Sequence, residues 1–247
     1  GAASVLLAGV VLSDSEPLRR ALDGVALELA PVALDAGIDG PDAANALAVA
    51  AKGAPRAKLR FHLDPIGAFA AAGGSPRPVD EHLMLAANTA QRHAGAYPEA
   101  SFFLASGRVA HEAGGSIAQE LAFAASSAVA YARAAVDAGM TRERALAGTV
   151  IGLSVDQEYF DSLAKIRAMR LIWRSLTRAL GCETLAVIEA RSSRRMLAAR
   201  DPWPNLLRLT AAGFAGGAGG ADVVVLDGFT TASGRPDAFA RRQARNT

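Results

Sequence analysis

Apolar residues follow two alternating rhythms along this chain. Short β-branched runs, apolar almost throughout, occur at Val5–Leu12, Val25–Leu34, Lys58–Leu63, Ser101–Ser106, Thr149–Val155, Thr184–Glu189 and Asp222–Asp227. Longer stretches with helical period lie between them, most clearly Ile117–Gly139 and Glu158–Leu180. In the second, Phe160, Leu163, Ile166, Met169, Ile172 and Trp173 recur at helical spacing, which predicts one buried face. Gly181 follows as its stop. Near-continuous apolar strands alternating with helices argue for a parallel sheet covered by helices.

Seven strands suit either an open doubly wound sheet or a TIM-type (β/α)8 barrel with one unit missing. In both, function is built at the C-terminal ends of the strands, and there the carboxylates Asp35, Asp64, Asp156, Glu189 and Asp227 fall. Pro31 sits awkwardly inside the second run, because proline removes a ladder hydrogen bond. No linker rich in Pro, Gly and Ser divides the chain, so residues 1–247 are expected to form a single domain. The best loop, Gly73–Pro78, is expected to join a strand unit to the next helix.

Composition narrows the class. Apolar residues make up 51% of the 247 positions and aromatics only 6%, so the core is built from small aliphatic side chains. The net charge is only +2 and the arginines are spread out, which speaks against a nucleic-acid partner. Cys182 is the single cysteine, so no internal disulfide or paired-cysteine zinc site can form, and a reducing, cytoplasmic setting is expected. The opening run GAASVLLAGVVL has no basic region before it and falls short of the ~20 residues of a membrane span. It reads as a buried strand, and no membrane partner is expected.

Candidate chemistry is sparse. The glycines of GFAGGAGG (Gly213–Gly220) close a predicted helix, Leu206–Phe214, and precede a strand, the reverse of a dinucleotide fingerprint. His62 and Asp64 end the strand LRFHLD two residues apart, on one side, and with Glu189 and Asp227 could bind a divalent metal in a barrel mouth. The plainer reading makes His62 a core histidine and Asp64 the cap of the next turn, since no second histidine stands at ligand spacing. DPWPN (Asp201–Asn205) reads as a helix start with an aspartate cap and a first-turn proline. The loop SGRVAHEAGG (Ser106–Gly115), with His111 at its centre, looks like the rim of an active site.

Several segments together resemble one family. HEAGGSIAQELAFAASSAVAYARAAVDAG, YFDSLAKIRAMRLIWRSL, ARDPWPNLLRLTAAGFAGGAGGADVVVLDGFT and the terminal ARRQARNT are similar, in order and spacing, to the substrate-domain barrel of methylmalonyl-CoA mutases. LAPVALDAG and LDPIGAFAAAG extend the likeness over nearly the whole chain. The resemblance implies a barrel whose first strand unit lies outside this sequence, leaving edges that a partner or a second copy covers. Active relatives isomerise acyl-CoA thioesters with adenosylcobalamin, held on a separate domain by a D-x-H-x-x-G motif. None of His62, His82, His93 and His111 has that context. This chain is therefore expected to bind no cobalamin itself, and the cofactor to belong to a catalytic partner.

The resemblance also answers the question of the loop. Where active relatives read SGYHMxEAG, this chain has Arg108 at the tyrosine and Val109 at the histidine, and His111 falls at a non-catalytic position. THSQTSG becomes IEARSSR, putting Glu189 at the histidine and Arg191 at the glutamine. An arginine that contacts coenzyme A corresponds to Gly148, and a glutamine becomes His62. HTNSLDE becomes VLDGFTT, with Asp227 and Thr231 at cofactor-facing positions. The strands TVIGLSV, TLAVIEA and DVVVLDG are mostly apolar until the mouth, which predicts a packed interior without a channel for a pantetheine arm. The resemblance thus implies a catalytically degenerate small-subunit barrel partnered by a catalytic large subunit or by itself. An active mutase fragment, a metal-dependent lyase using His62, Asp64 and Glu189, and a pure scaffold are the competing expectations.

Overall fold

The computed structural model describes residues 4–8 and 13–247, in two compact units. One comprises the chain up to Ala105 together with Ser126–Val150, and the other comprises Ser106–Ala125 and Ile151–Thr247. The strands are β1 (Val5–Ala8), β2 (Val32–Asp35), β3 (Leu59–Leu63), β4 (Ser101–Ser106), β5 (Thr149–Val155), β6 (Val187–Ser192) and β7 (Val223–Val225). The helices are α1 (Ser15–Ala21), α2 (Gly40–Ala50), α3 (Pro65–Ala72), α4 (Val79–Ala94), α5 (Arg108–Glu112), α6 (Ile117–Asp137), α7 (Arg142–Ala147), α8 (Tyr159–Ala179), α9 (Pro204–Gly219) and α10 (Ala238–Asn246).

The strands form one sheet in the order β1 to β7, with parallel pairing from β1 to β4 and between β6 and β7. A doubly wound sheet reverses its strand order at a switch point, and this one does not. Sequential parallel strands, each followed by helix, make this an incomplete TIM-type α/β barrel. Among the described residues no helix is long and apolar enough to cross a membrane.

β4 and β5 coincide with their apolar runs, and β5 is buried along its whole length. Elsewhere the apolar pattern misplaces boundaries for physical reasons. β2 begins only after Pro31, whose carbonyl accepts from Val5 N at 2.9 Å, and residues 27–30 form turns and a bend before it. β6 starts three residues later than Thr184 and runs through Glu189 and Arg191, charged positions that hydrophobicity hides. β7 shrinks to three residues. Of the first run, positions 9–12 lie outside the described residues. The Gly73–Pro78 loop joins two helices, α3 and α4, rather than a strand unit to a helix.

The glycine-rich segment does not end its helix. α9 continues through it to Gly219 and stops at Gly220, which takes the left-handed conformation (φ +88°). A Cβ on Gly213 would stand 2.9 Å from Leu226 Cδ1, one on Gly216 3.2 Å from Val224 Cγ2, and one on Gly219 3.0 Å from Ile166 Cδ1. Three glycines at three-residue spacing thus let α9 lie close against β7 and α8. Its start is also corrected: Asp201 accepts from Trp203 N at 3.2 Å, and the helix begins at Pro204 without a side-chain cap. On α8, Ile166, Met169 and Trp173 are buried as the periodicity predicts, but Phe160 is 79% exposed and Ser162 and Lys165 are buried in its place.

These contacts make α9 a sensitive probe. Gly216→Val should destabilise the protein by about 1–3 kcal/mol through overpacking against Ala190 and Val224. Its neighbour Gly217 has open space where a Cβ would go, so Gly217→Ala should be neutral or stabilising by up to about 1 kcal/mol. Urea unfolding midpoints of the two variants should move in opposite directions, and a loss at both positions would refute this packing.

Candidate functional site

The loop after β4 is folded tightly by its glycines. Gly107 N donates to Gly152 O at 2.9 Å, and its Cβ position is filled by the backbone of Glu120. Gly114 (φ +96°) turns the chain so that Gly115 N reaches Ala110 O at 2.8 Å. α6 then starts and, one turn in, carries Glu120 into the interior. The Glu120 side chain has no exposure, and three groups converge on it. Lys165 Nζ from α8 donates at 2.6 Å, Ser154 N from β5 donates at 2.6 Å, and His111 Nδ1 stands 3.4 Å away. The His111 Nε2 in turn meets Ser193 Oγ at 2.8 Å, just past β6.

Burial alone would raise the Glu120 pKa. The His111 hydrogen bond, the Lys165 charge and hydrogen bond, and the Ser154 N–H outweigh burial and hold it below the ordinary carboxylate value. In the tautomer with hydrogen on Nδ1, facing Glu120, the His111 Nε2 accepts from the Ser193 hydroxyl.

Serine, histidine and carboxylate in series suggest a nucleophilic triad. The surroundings do not support that use. Ser193 is 1% exposed, and the nearest backbone donors are spent: Ser193 N on Val155 O at 2.8 Å, Arg194 N on Glu112 Oε1 at 3.0 Å. No oxyanion donors remain at these two amides. Lys165 moreover shares the carboxylate that would orient the histidine. With Arg195 Nη1 donating to His111 O at 2.8 Å, residues 193–195 clamp α5 in place. The arrangement fastens the loop rather than activating a nucleophile.

The positions singled out from sequence fall as follows. Arg108 opens α5, with its N–H 3.4 Å from Ser106 Oγ, and Val109 follows in the same short helix; both are half-buried. Glu189 and Arg191 are brought together: Arg191 Nε donates to Glu189 Oε1 at 2.5 Å, with both residues buried. α9 packs on Ala190, so this pair projects from the opposite face of β6 and interrupts the apolar lining expected there. Asp227 accepts from Ser192 Oγ at 3.0 Å with Arg194 at 3.7 Å, and Thr231 begins a 3-10 turn.

His62 and Asp64 belong to the other unit. They lie on β3 and just past its end, where His62 has φ +49° and the β3–β4 register shifts between Arg60 and Leu63. The His62 Nδ1 lies 3.1 Å from Leu34 O. Asp64 caps α3 through Gly67 N and accepts from the Tyr131 hydroxyl at 2.5 Å. Burial, then the Asp64 charge, pushes the Tyr131 phenol well above its usual range, so it remains a donor. Among the described residues no three His, Cys, Asp or Glu side chains are grouped to hold a metal ion.

All four histidine rings are hydrogen-bonded within the chain: His62 to Leu34, His82 to Ser75, His93 to Asn45 and His111 to Ser193. Glu120, Lys165 and Ser193 were missed from the sequence. The available signal was a charged residue on the inward arc of each amphipathic helix, Glu120 on α6 and Lys165 one position before Ile166 on α8.

Sequential parallel strands with polar groups gathered beyond β4, β5 and β6 define an α/β barrel with its chemistry-bearing end at the strand C-termini. Residues 2–247 match the family profile described as methylmalonyl-CoA mutase, and the chain belongs to that family. It is 38% identical over 238 residues to the methylmalonyl-CoA mutase small subunit of Streptomyces virginiae, covering 93% of this chain and 38% of that protein. It is 36% identical over 257 residues to the probable small subunit of Mycobacterium tuberculosis, covering 99% and 41%. Against the small subunit of Propionibacterium freudenreichii subsp. shermanii the identity is 31%, over 94% and 37%. The chain thus spans about two fifths of the length of the curated relatives it matches.

The Glu120 cluster makes two predictions. Lys165→Met strands a buried carboxylate and should cost about 3–5 kcal/mol, part of which Glu120→Gln in the same chain should restore. The carboxyl is depressed in the folded state, so its contribution is full above its unfolded value of 4.5 and is lost as pH falls through the lower folded value. Unfolding midpoints on the acid side should therefore fall less steeply for Glu120→Gln than for the parent chain. Parallel acid profiles would disprove the assignment.

Proposed function

We propose that this chain is the catalytically silent barrel of a methylmalonyl-CoA mutase small subunit, working as the structural partner of a large subunit that binds the acyl-CoA and adenosylcobalamin. One observation carries the reading. Where the resemblance puts an inward histidine and glutamine, β6 holds Glu189 and Arg191, buried and bonded to each other. A histidine can exchange a proton and a glutamine can grip a carbonyl. A carboxylate and guanidinium bonded together are poorly placed to do either, and parting them to admit a substrate would break a charged hydrogen bond inside the protein.

The loop after β4 supports the same reading. Arg108 and Val109 stand at the tyrosine and histidine positions, and Val109 has no proton to give. The relatives' printed names add that proteins of this kind are small subunits, which implies a larger companion.

Isothermal titration of the purified chain with methylmalonyl-CoA and succinyl-CoA should show no binding tighter than about 1 mM. Co-expression with the mutase large subunit of its own organism should give a stable complex that isomerises methylmalonyl-CoA when supplied with adenosylcobalamin. Tight one-to-one acyl-CoA binding by this chain alone would favour an active fragment instead.

A further inference from the structure

The described residues with large, strongly exposed apolar side chains are not scattered. Seven such side chains are at least 60% exposed, and five of them stand on α8 and α9 or at their starts: Phe160, Leu171, Trp203, Leu207 and Phe214. Phe160 and Leu171 are three turns apart on the outer stripe of α8. Trp203, Leu207 and Phe214, at spacings of four and seven, form the outer stripe at the start and middle of α9. The two helices pack side by side, and rings join the stripes: Tyr159 at the start of α8 stacks on Phe214 at 5.5 Å and meets Phe160 edge-on at 5.1 Å. An exposed aromatic cluster of this kind, flanked by exposed leucines on both helices, marks a contact site.

Along the two stripes themselves the charge is one-sided, with Asp161 and Asp201 exposed at their flanks. The α8 stripe reads Phe160, Ala164, Arg167, Leu171, Arg174, and the α9 stripe reads Trp203, Leu207, Thr210, Phe214, with no carboxylate on either. Arg174 is exposed with no ion-pair partner among the described residues, and Arg167 reaches only the Ala218 carbonyl at 3.5 Å. Arginine with aromatics, and no lysine, is the composition of an interface core. A symmetric contact between two copies would set these arginines against each other.

We infer that the outer face of α8 and α9 is a docking surface for a different protein, one presenting apolar side chains among carboxylates. Resting on the function proposed above, the occupant is the mutase large subunit.

The test is affinity of the full chain for the purified large subunit, measured by calorimetry or sedimentation. The double substitution L207E/F214E should weaken binding at least about 30-fold. Arg174→Glu should weaken it and flatten its salt dependence. Leu29→Glu, equally exposed but in the other unit, should leave binding unchanged. Parent-like affinity of the first two variants would overturn the docking surface while leaving the partnership intact. No binding by the parent chain would overturn both. A dimer of this chain, or binding to anionic phospholipid vesicles, that disappears in L207E/F214E would show the face to have another occupant, and would likewise overturn the proposal.

Discussion

Burial of one carboxylate organises the C-terminal ends of the strands. Glu120 has no contact with water, and a charge there survives only if every neighbour is a donor. Its partners come from three different elements: Lys165 on α8, the Ser154 amide on β5 and His111 on α5. Each must sit within hydrogen-bond reach, so the carboxylate fixes where α8 crosses the sheet and how the loop after β4 folds. Gly107 belongs to the same constraint, since the backbone at Glu120 occupies the space a side chain there would need. A well-packed apolar cluster could match such a network in stability, but would not dictate its geometry so narrowly.

Much of the fold could be read from the chain, and the failures share one cause. Strands such as β4 and β5, buried on both faces, announce themselves as apolar runs. β6 did not, because Glu189 and Arg191 satisfy each other inside the protein, and pattern reading treats two charges as an end of burial. Glu120 and Lys165 were hidden in the same way, each looking solvent-facing until the partner on another helix is known. The glycines of α9 misled in the opposite sense. They read as a terminator, yet Gly213, Gly216 and Gly219 continue the helix because neighbouring side chains occupy the space their Cβ atoms would take. Pairing and close approach are tertiary facts, and a single sequence carries only their halves.

Of the candidate site, the outline was legible and the wiring was not. The loop Ser106–Gly115 and the strand-end carboxylates do mark the polar end of the barrel. The substitutions at Arg108, Val109, Glu189 and Arg191 were visible too, once the family resemblance gave them positions. What sequence could not provide was the consequence of those substitutions. Read singly, Glu189 and Arg191 are two independent functional groups, and their 2.5 Å contact couples them. At His62 the positive φ and the register shift between Arg60 and Leu63 are likewise features that the apolar pattern does not encode.

The clamp on α5 bears on whether this end of the barrel could work through a catalytic cycle. Loops that close over substrates move on microsecond to millisecond timescales, so their open and closed forms differ by little free energy. Here residues 193–195 hold α5 by three bonds at once: Ser193 to the His111 ring, Arg194 N to Glu112 and Arg195 to the His111 carbonyl. Two of them involve a charged group, where a bond contributes about 1.5–3 kcal/mol, so lifting the helix would cost several kcal/mol before His111 and Glu120 parted. A loop that must release product at every turnover is poorly served by such fastening. A subunit whose task is to keep one shape for a partner gains from it, because a surface already ordered loses less entropy on docking. On the proposed reading, rigidity at the mouth and a valine at position 109 are two aspects of one design, each making the other tolerable.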